Sequence, residues 1–171
     1  DKGGNPGSTG PFAVTSGQSL TTSESWHFLN NIIYSFIETS NDSAGAFNMR
    51  AFKGNLHICN NTIYKLKSQG GSKDAVAMRF GDGTHIQATI KNNIVAGLDE
   101  GDIAAAYWMD EVPNSNRVLD SATNLSDNTA DSAKDAEDFD VNKNDSTALT
   151  GKTLGEIAFV STTAGSEDLH I

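Results

Sequence analysis

One eight-residue pattern returns three times in this chain with its neighbours intact: His27-Phe28-Leu29-Asn30-Asn31-Ile32-Ile33-Tyr34, His57-Ile58-Cys59-Asn60-Asn61-Thr62-Ile63-Tyr64, and Thr89-Ile90-Lys91-Asn92-Asn93-Ile94-Val95-Ala96. The first Asn of the pair recurs after 30 and then 32 residues. A second block keeps step with it: Ala46-Phe47-Asn48-Met49-Arg50, Ala75-Val76-Ala77-Met78-Arg79 and Ala104-Ala105-Ala106-Tyr107-Trp108, its first alanines 29 apart. Two different blocks holding one period mark a repeat architecture, in which each unit buries its apolar face only against the next.

Phe28, Ile58 and Ile90 occupy one position of the repeat, and Ile33, Ile63 and Val95 another, with Asn30, Asn60 and Asn92 between them. The simplest geometry is all-β: a right-handed coil, each turn laying short strands parallel to their equivalents in the turn before. A tight corner between strands favours a residue tolerant of left-handed backbone angles, and Asn is the best of these after Gly. Stacked Asn amides also hydrogen-bond along the axis, which removes the penalty of burying them. Asn30, Asn60 and Asn92 are therefore expected to form a structural ladder. Residues 1–20, rich in Gly and Pro, read as a flexible arm. Residues 21–126 read as three to four turns, with Thr123-Asn124-Leu125-Ser126 in an irregular last one. Residues 127–171 read as an acidic loop, with a short helix near 132–138, and a capping segment packed on the open end of the coil.

Charge limits the partners. A formal net charge of −10 argues against nucleic acid and anionic membrane surfaces, both of which need a basic face. The single cysteine, Cys59, excludes an internal disulfide framework or a Cys-based zinc site, and its place in a repeat strand predicts a packed core thiol. No apolar run approaches the ~20 residues that span a bilayer. The chain begins at Asp1 rather than Met, which suggests a processed form.

The repeated Asn-Asn-Ile/Thr-Ile/Val strands resemble the right-handed parallel β-helix superfamily, the fold of pectate lyases and many phage tailspikes. The tail Phe159-Val160-Ser161-Thr162-Thr163-Ala164-Gly165-Ser166-Glu167-Asp168-Leu169-His170-Ile171 resembles the closing segment of secreted and phage-borne members. The resemblance spans residues 26–126 for the fold and the tail for the subgroup. It implies a β-solenoid with an irregular C-terminal cap, shorter than most of its kind, at a virion or cell exterior.

Two functions compete. A short solenoid leaves strand edges and apolar ends that must be docked, which points to a non-catalytic structural or adhesive module in a homo-oligomer or larger assembly. The rival is a polysaccharide-binding or lyase-like domain. Arg50 and Arg79, at equivalent positions of adjacent turns, would stack two guanidinium groups suited to a sugar carboxylate. Lys53, Asp82 and His85 could lie nearby, and Trp108 replaces Arg in the third turn. Trp26, Trp108, Tyr34, Tyr64 and Tyr107 offer either a stacking platform or cover for the core. Asp138, Asp140 and Asn142 have the spacing of an oxygen-ligand calcium loop, although Lys143 stands where such a loop needs Gly. Otherwise no cofactor is expected.

Overall fold

The computed structural model describes residues 12–13, 25–39, 44–49, 54–68, 75–80, 86–98, 104–109, 118–127, 149, 151–163, 166 and 168–169. These residues are mostly strand, with almost no helix. The strands are β1 (Phe12–Ala13), β2 (Ser25–Leu29), β3 (Ile32–Glu38), β4 (Ala44–Met49), β5 (Gly54–Cys59) and β6 (Thr62–Ser68). They continue as β7 (Ala75–Phe80), β8 (Ile86–Lys91), β9 (Ile94–Ala96), β10 (Ala104–Met109), β11 (Val118–Ala122) and β12 (Leu125–Ser126), and one helical turn, α1 (Leu154–Ile157), follows. The strands make three four-stranded sheets, ordered β1-β4-β7-β10, β11-β8-β5-β2 and β12-β9-β6-β3. Successive strands go to the three sheets in fixed rotation, so each strand pairs with the strand three further on. Every such pairing is parallel.

The register explains the apolar spacing. Phe28, Ile58 and Ile90 stand in one column of the second sheet. Ile33, Ile63 and Val95 stand in one column of the third. In β5, Gly54, Leu56 and Ile58 are buried while Asn55, His57 and Cys59 are half-buried, the period-two alternation of a strand with one face inward. Inward residues of all three sheets meet in one core of Ile33, Phe47, Met49, Leu56, Ile58, Ile63, Leu66, Met78, Ile90 and Val95. Trp26, Phe28 and Phe36 pack against it from the first strands, so Trp26 covers core rather than offering a stacking surface.

The alternation is interrupted at two left-handed columns. Asn30, Asn60, Asn92 and Thr123 have φ of 57–58°, at the corner between the second and third sheets. Ser35, Lys65 and Gly97 repeat the same conformation within or just past β3, β6 and β9. At Gly97 the room is also short, because an added Cβ would lie 3.1 Å from Tyr64 Cε2.

Several expectations need correction. Phe12 and Ala13, inside the segment read as an arm, form β1 and pair with Phe47 and Asn48 of β4. The first-sheet blocks align on Ala44, Ala75 and Ala104, not on Ala46. The tail reaches the side of the third sheet rather than simply plugging an end. Ile157 and Leu169 bury against Tyr64 and Ala96, and Phe159 meets the Tyr64 ring edge-on at 5.5 Å. At the end of that sheet Leu149 bridges Leu125, and the Lys152 N–H donates to Ser126 O. Helix α1 is short enough to depend on its caps. Thr153 Oγ1 accepts from the Glu156 N–H, Glu156 returns the bond to the Thr153 N–H, and Ala158 closes the turn with φ of 59°. The predicted helix near 132–138 lies outside the described residues.

The corner column yields a direct check. Asn60→Gly is expected to change the urea midpoint little, whereas Asn60→Val forces a β-branched residue into the left-handed region and should cost about 1–3 kcal/mol.

Candidate functional site

The most ordered polar feature is a buried column of amides, and it is not formed by the residues expected. Because Asn30, Asn60 and Asn92 adopt positive φ, the chain swings outward there and leaves all three exposed. The second Asn of each pair turns inward instead. Asn31 Nδ2 donates to Asn61 Oδ1 at 2.8 Å, Asn61 Nδ2 to Asn93 Oδ1 at 3.0 Å, and Asn93 Nδ2 to Asn124 Oδ1 at 2.9 Å. Each of these oxygens also accepts the backbone N–H of the preceding Asn, at 3.0–3.1 Å. The remaining amide hydrogens of Asn61, Asn93 and Asn124 go to the carbonyls of Phe28, Ile58 and Ile90. Asn61 and Asn93 thus use both donors and both acceptor positions, although neither is exposed at all. Full satisfaction is what makes the burial of an amide affordable. Asn124, in the last strand pair, is a fourth rung; in its corner, Thr123 stands where Asn stands in the other three.

Beyond the ladder, Asp127 holds the end of the third sheet. Its Oδ2 accepts from the Gly97 N–H at 2.7 Å, and its own N–H donates to Val95 O. Burial raises the carboxyl above its ordinary 3.8, against the backbone hydrogen bonds from Gly97 and Asp127 itself that lower it. Glu156 shifts the other way, lowered chiefly by the Thr153 backbone N–H, then by the Thr153 hydroxyl and Lys152.

The outward side of the second sheet is polar. His27 and His57 stand in register, their rings parallel within 5° and 4.5 Å apart. Thr89 and Asp120 continue that column, and Lys91 reaches Asp120 Oδ2 at 2.7 Å. Such an exposed ion pair contributes about 0–1 kcal/mol. Cys59 lies on this outer side, half-buried, with its thiol 3.8 Å from Thr89 O, so it is not the core thiol expected.

The residues proposed to hold sugar do not assemble as predicted. Arg79 is in register with Asn48 and Trp108, while the strand ends at Met49 opposite Phe80, so Arg50 and Arg79 are not equivalent. Arg50, Lys53, Asp82 and His85 lie outside the described residues, as do Asp138, Asp140 and Asn142 of the calcium-like spacing. Among the described residues no group of three or more His, Cys, Asp or Glu side chains converges as a metal site, and no helix is long and apolar enough to cross a membrane.

A further surface was missed by sequence reasoning. Leu29, Ile32, Tyr34 and Ile37 are 45–53 % exposed, all on β2 and β3. Tyr34 shares its column with Tyr64, which the tail covers to 2 % exposure. The signal was available: no Asp, Glu, Lys or Arg occurs from Ser25 to Ile37 in a strongly acidic chain. No family model, curated protein or solved structure matches the chain.

Two measurements test this geometry. Asn93→Ala strands the partners of a fully bonded amide and should cost roughly 2–5 kcal/mol in chemical denaturation, against about 1 kcal/mol for Asn31→Ala at the ladder's end. The raised Asp127 carboxyl contributes stability that is complete below pH 3.8 and is lost as pH rises through its folded value. Asp127→Asn keeps an acceptor for Gly97 without the charge. It should raise the melting temperature at neutral pH and leave it unchanged below pH 3.8.

Proposed function

We propose that this chain is a right-handed parallel β-helix of three to four turns, of the pectate-lyase-like kind. In this reading it serves as a non-catalytic structural or adhesive module at the exterior of a cell or virion. The rotation of strands through three parallel sheets supports the coil, and the right-handed sense follows from the rule for parallel crossovers. Columns of αL corners and stacked amides give each turn the same shape, which suits a rigid spacer.

The observation that carries the functional reading is the location of exposed apolar surface. Four of the large exposed hydrophobic residues, Leu29, Ile32, Tyr34 and Ile37, sit on β2 and β3, the end strands of their sheets among the described residues. An apolar, uncharged strand edge invites pairing with another chain, and proteins that work alone blunt such edges with charge, proline or a covering loop. Docking into a larger assembly accounts for leaving it open. The sugar-acid reading relied on stacked Arg50 and Arg79, and the register removes that arrangement.

Incubation with a panel of acidic polysaccharides, with and without added calcium, tests the non-catalytic reading. No unsaturated uronate is expected by ultraviolet absorbance; its appearance in proportion to protein would overturn the proposal.

A further inference from the structure

The geometry points to a specific occupant for the open edge: an uncharged strand–Asn–Asn–strand segment of a second polypeptide, joining as one more parallel layer. This rests on the coil reading proposed above and adds the chemistry of the partner.

The open end has a defined shape. Among the described residues β1, β2 and β3 are the end strands of the three sheets, and β2 and β3 are joined by the corner that carries Asn31. A layer that continues the amide column therefore needs two strands and one such corner. Parallel direction is set by every existing pairing of β2 and β3.

The ladder states what the corner must carry. The Oδ1 atoms of Asn61, Asn93 and Asn124 each accept a backbone N–H and an Nδ2–H from the Asn one layer earlier. Among the described residues, Asn31 Oδ1 accepts neither, and Asn31 Nδ2 makes one bond where those of Asn61 and Asn93 make two. The missing second acceptor is also specified. Asn61 and Asn93 use the carbonyls of Phe28 and Ile58, each three residues before the preceding rung. An incoming Asn would supply both donors, and the residue three before it the carbonyl. Asn places a side-chain N–H and its own backbone N–H on one acceptor and keeps a second N–H and an oxygen to continue the column.

Charge agrees with this assignment. The edge from Ser25 to Ile37 has no Asp, Glu, Lys or Arg, and its outward Leu29, Ile32, Tyr34 and Ile37 favour an apolar outward face on the segment. The opposite end differs, because Leu149 already bridges β12 there. A head-to-head copy fits less well: a two-fold axis across this end would run its strands antiparallel to β2 and β3, whereas every pairing of β2 and β3 is parallel.

The test uses a labelled peptide of residues 54–68 with Cys59→Ser and with its lysines replaced by their uncharged counterparts in β3, Lys65→Ser and Lys67→Ile, a strand–Asn–Asn–strand unit of this chain, titrated with the 171-residue chain by fluorescence anisotropy. Saturable binding is expected. Asn61→Ala in the peptide, or Asn31→Ala in the protein, should each weaken it about tenfold or more, the loss of roughly one hydrogen-bonded contact. Ile32→Lys, at an exposed position outside the core, should do the same, while Leu154→Lys on α1 should not. Cooperative melting curves, shifted in Asn31→Ala by no more than its expected cost of about 1 kcal/mol, would establish that the variants fold. Absence of saturable binding, or binding indifferent to Asn31→Ala and Ile32→Lys, would overturn the proposal. So would a concentration-dependent dimer abolished by Ile32→Lys, which would assign the edge to a second copy. The two readings fail separately: polysaccharide cleavage removes the structural reading, whereas loss of peptide binding with no cleavage removes only the occupant.

Discussion

A buried amide that finds both its donors and both its acceptors in neighbouring strands is the constraint from which the other features follow. To place Asn31, Asn61, Asn93 and Asn124 in one column, the strands must come back into register each time the chain passes through the three sheets. It must also turn sharply just before each rung, which sets the left-handed conformation at Asn30, Asn60, Asn92 and Thr123. Core packing alone would not fix this. Ile, Val and Phe columns tolerate a slip of two residues, which keeps the same face inward, but a slipped amide loses several bonds inside an apolar interior.

The same logic shows why the residues between columns vary so freely. Asn55, His57, Thr89 and Lys91 sit on the outer side of the second sheet and bear no common chemistry. On the third sheet the outer side is apolar where the tail lies, at Tyr64 and Ala96, and apolar without a cover at Tyr34. One chain therefore shows an outer strip in both its occupied and its open condition. The occupied part has Phe159 edge-on to Tyr64, with Lys65 Nζ 5.0 Å from the centre of the same ring.

Much of this was legible in the amino-acid order, and the misses have physical causes. The columns at Phe28 and Ile33 were read correctly because an Asn-Asn pair is an unambiguous landmark. Which Asn faces inward was misjudged because a left-handed residue breaks strict alternation: counting forward by twos from Phe28 selects Asn30, whereas counting back from Ile33 selects Asn31. The fourth unit held the answer, since Thr123-Asn124 retains only the second Asn. The first-sheet blocks slipped by two because Ala44-Gly45-Ala46 offers an alanine in either register, and small residues specify alignment weakly. That slip created the apparent Arg50 and Arg79 pair. The side-on tail was illegible for a different reason: its contacts with Tyr64 and Ala96 join segments far apart in the chain and leave no periodic trace.

The amide column also has a direction. Between rungs, Asn31, Asn61 and Asn93 each donate toward the higher-numbered neighbour, and Asn61, Asn93 and Asn124 each receive from the lower-numbered one. Length changes are consequently confined to the connections between β3 and β4, β4 and β5, and their later counterparts, where the repeat already drifts. Between Phe28 and Ile33 a single inserted residue would reverse inside and outside. A lineage built on this plan would grow or shrink by duplicating or deleting whole three-strand units, and its variation would gather in the loops.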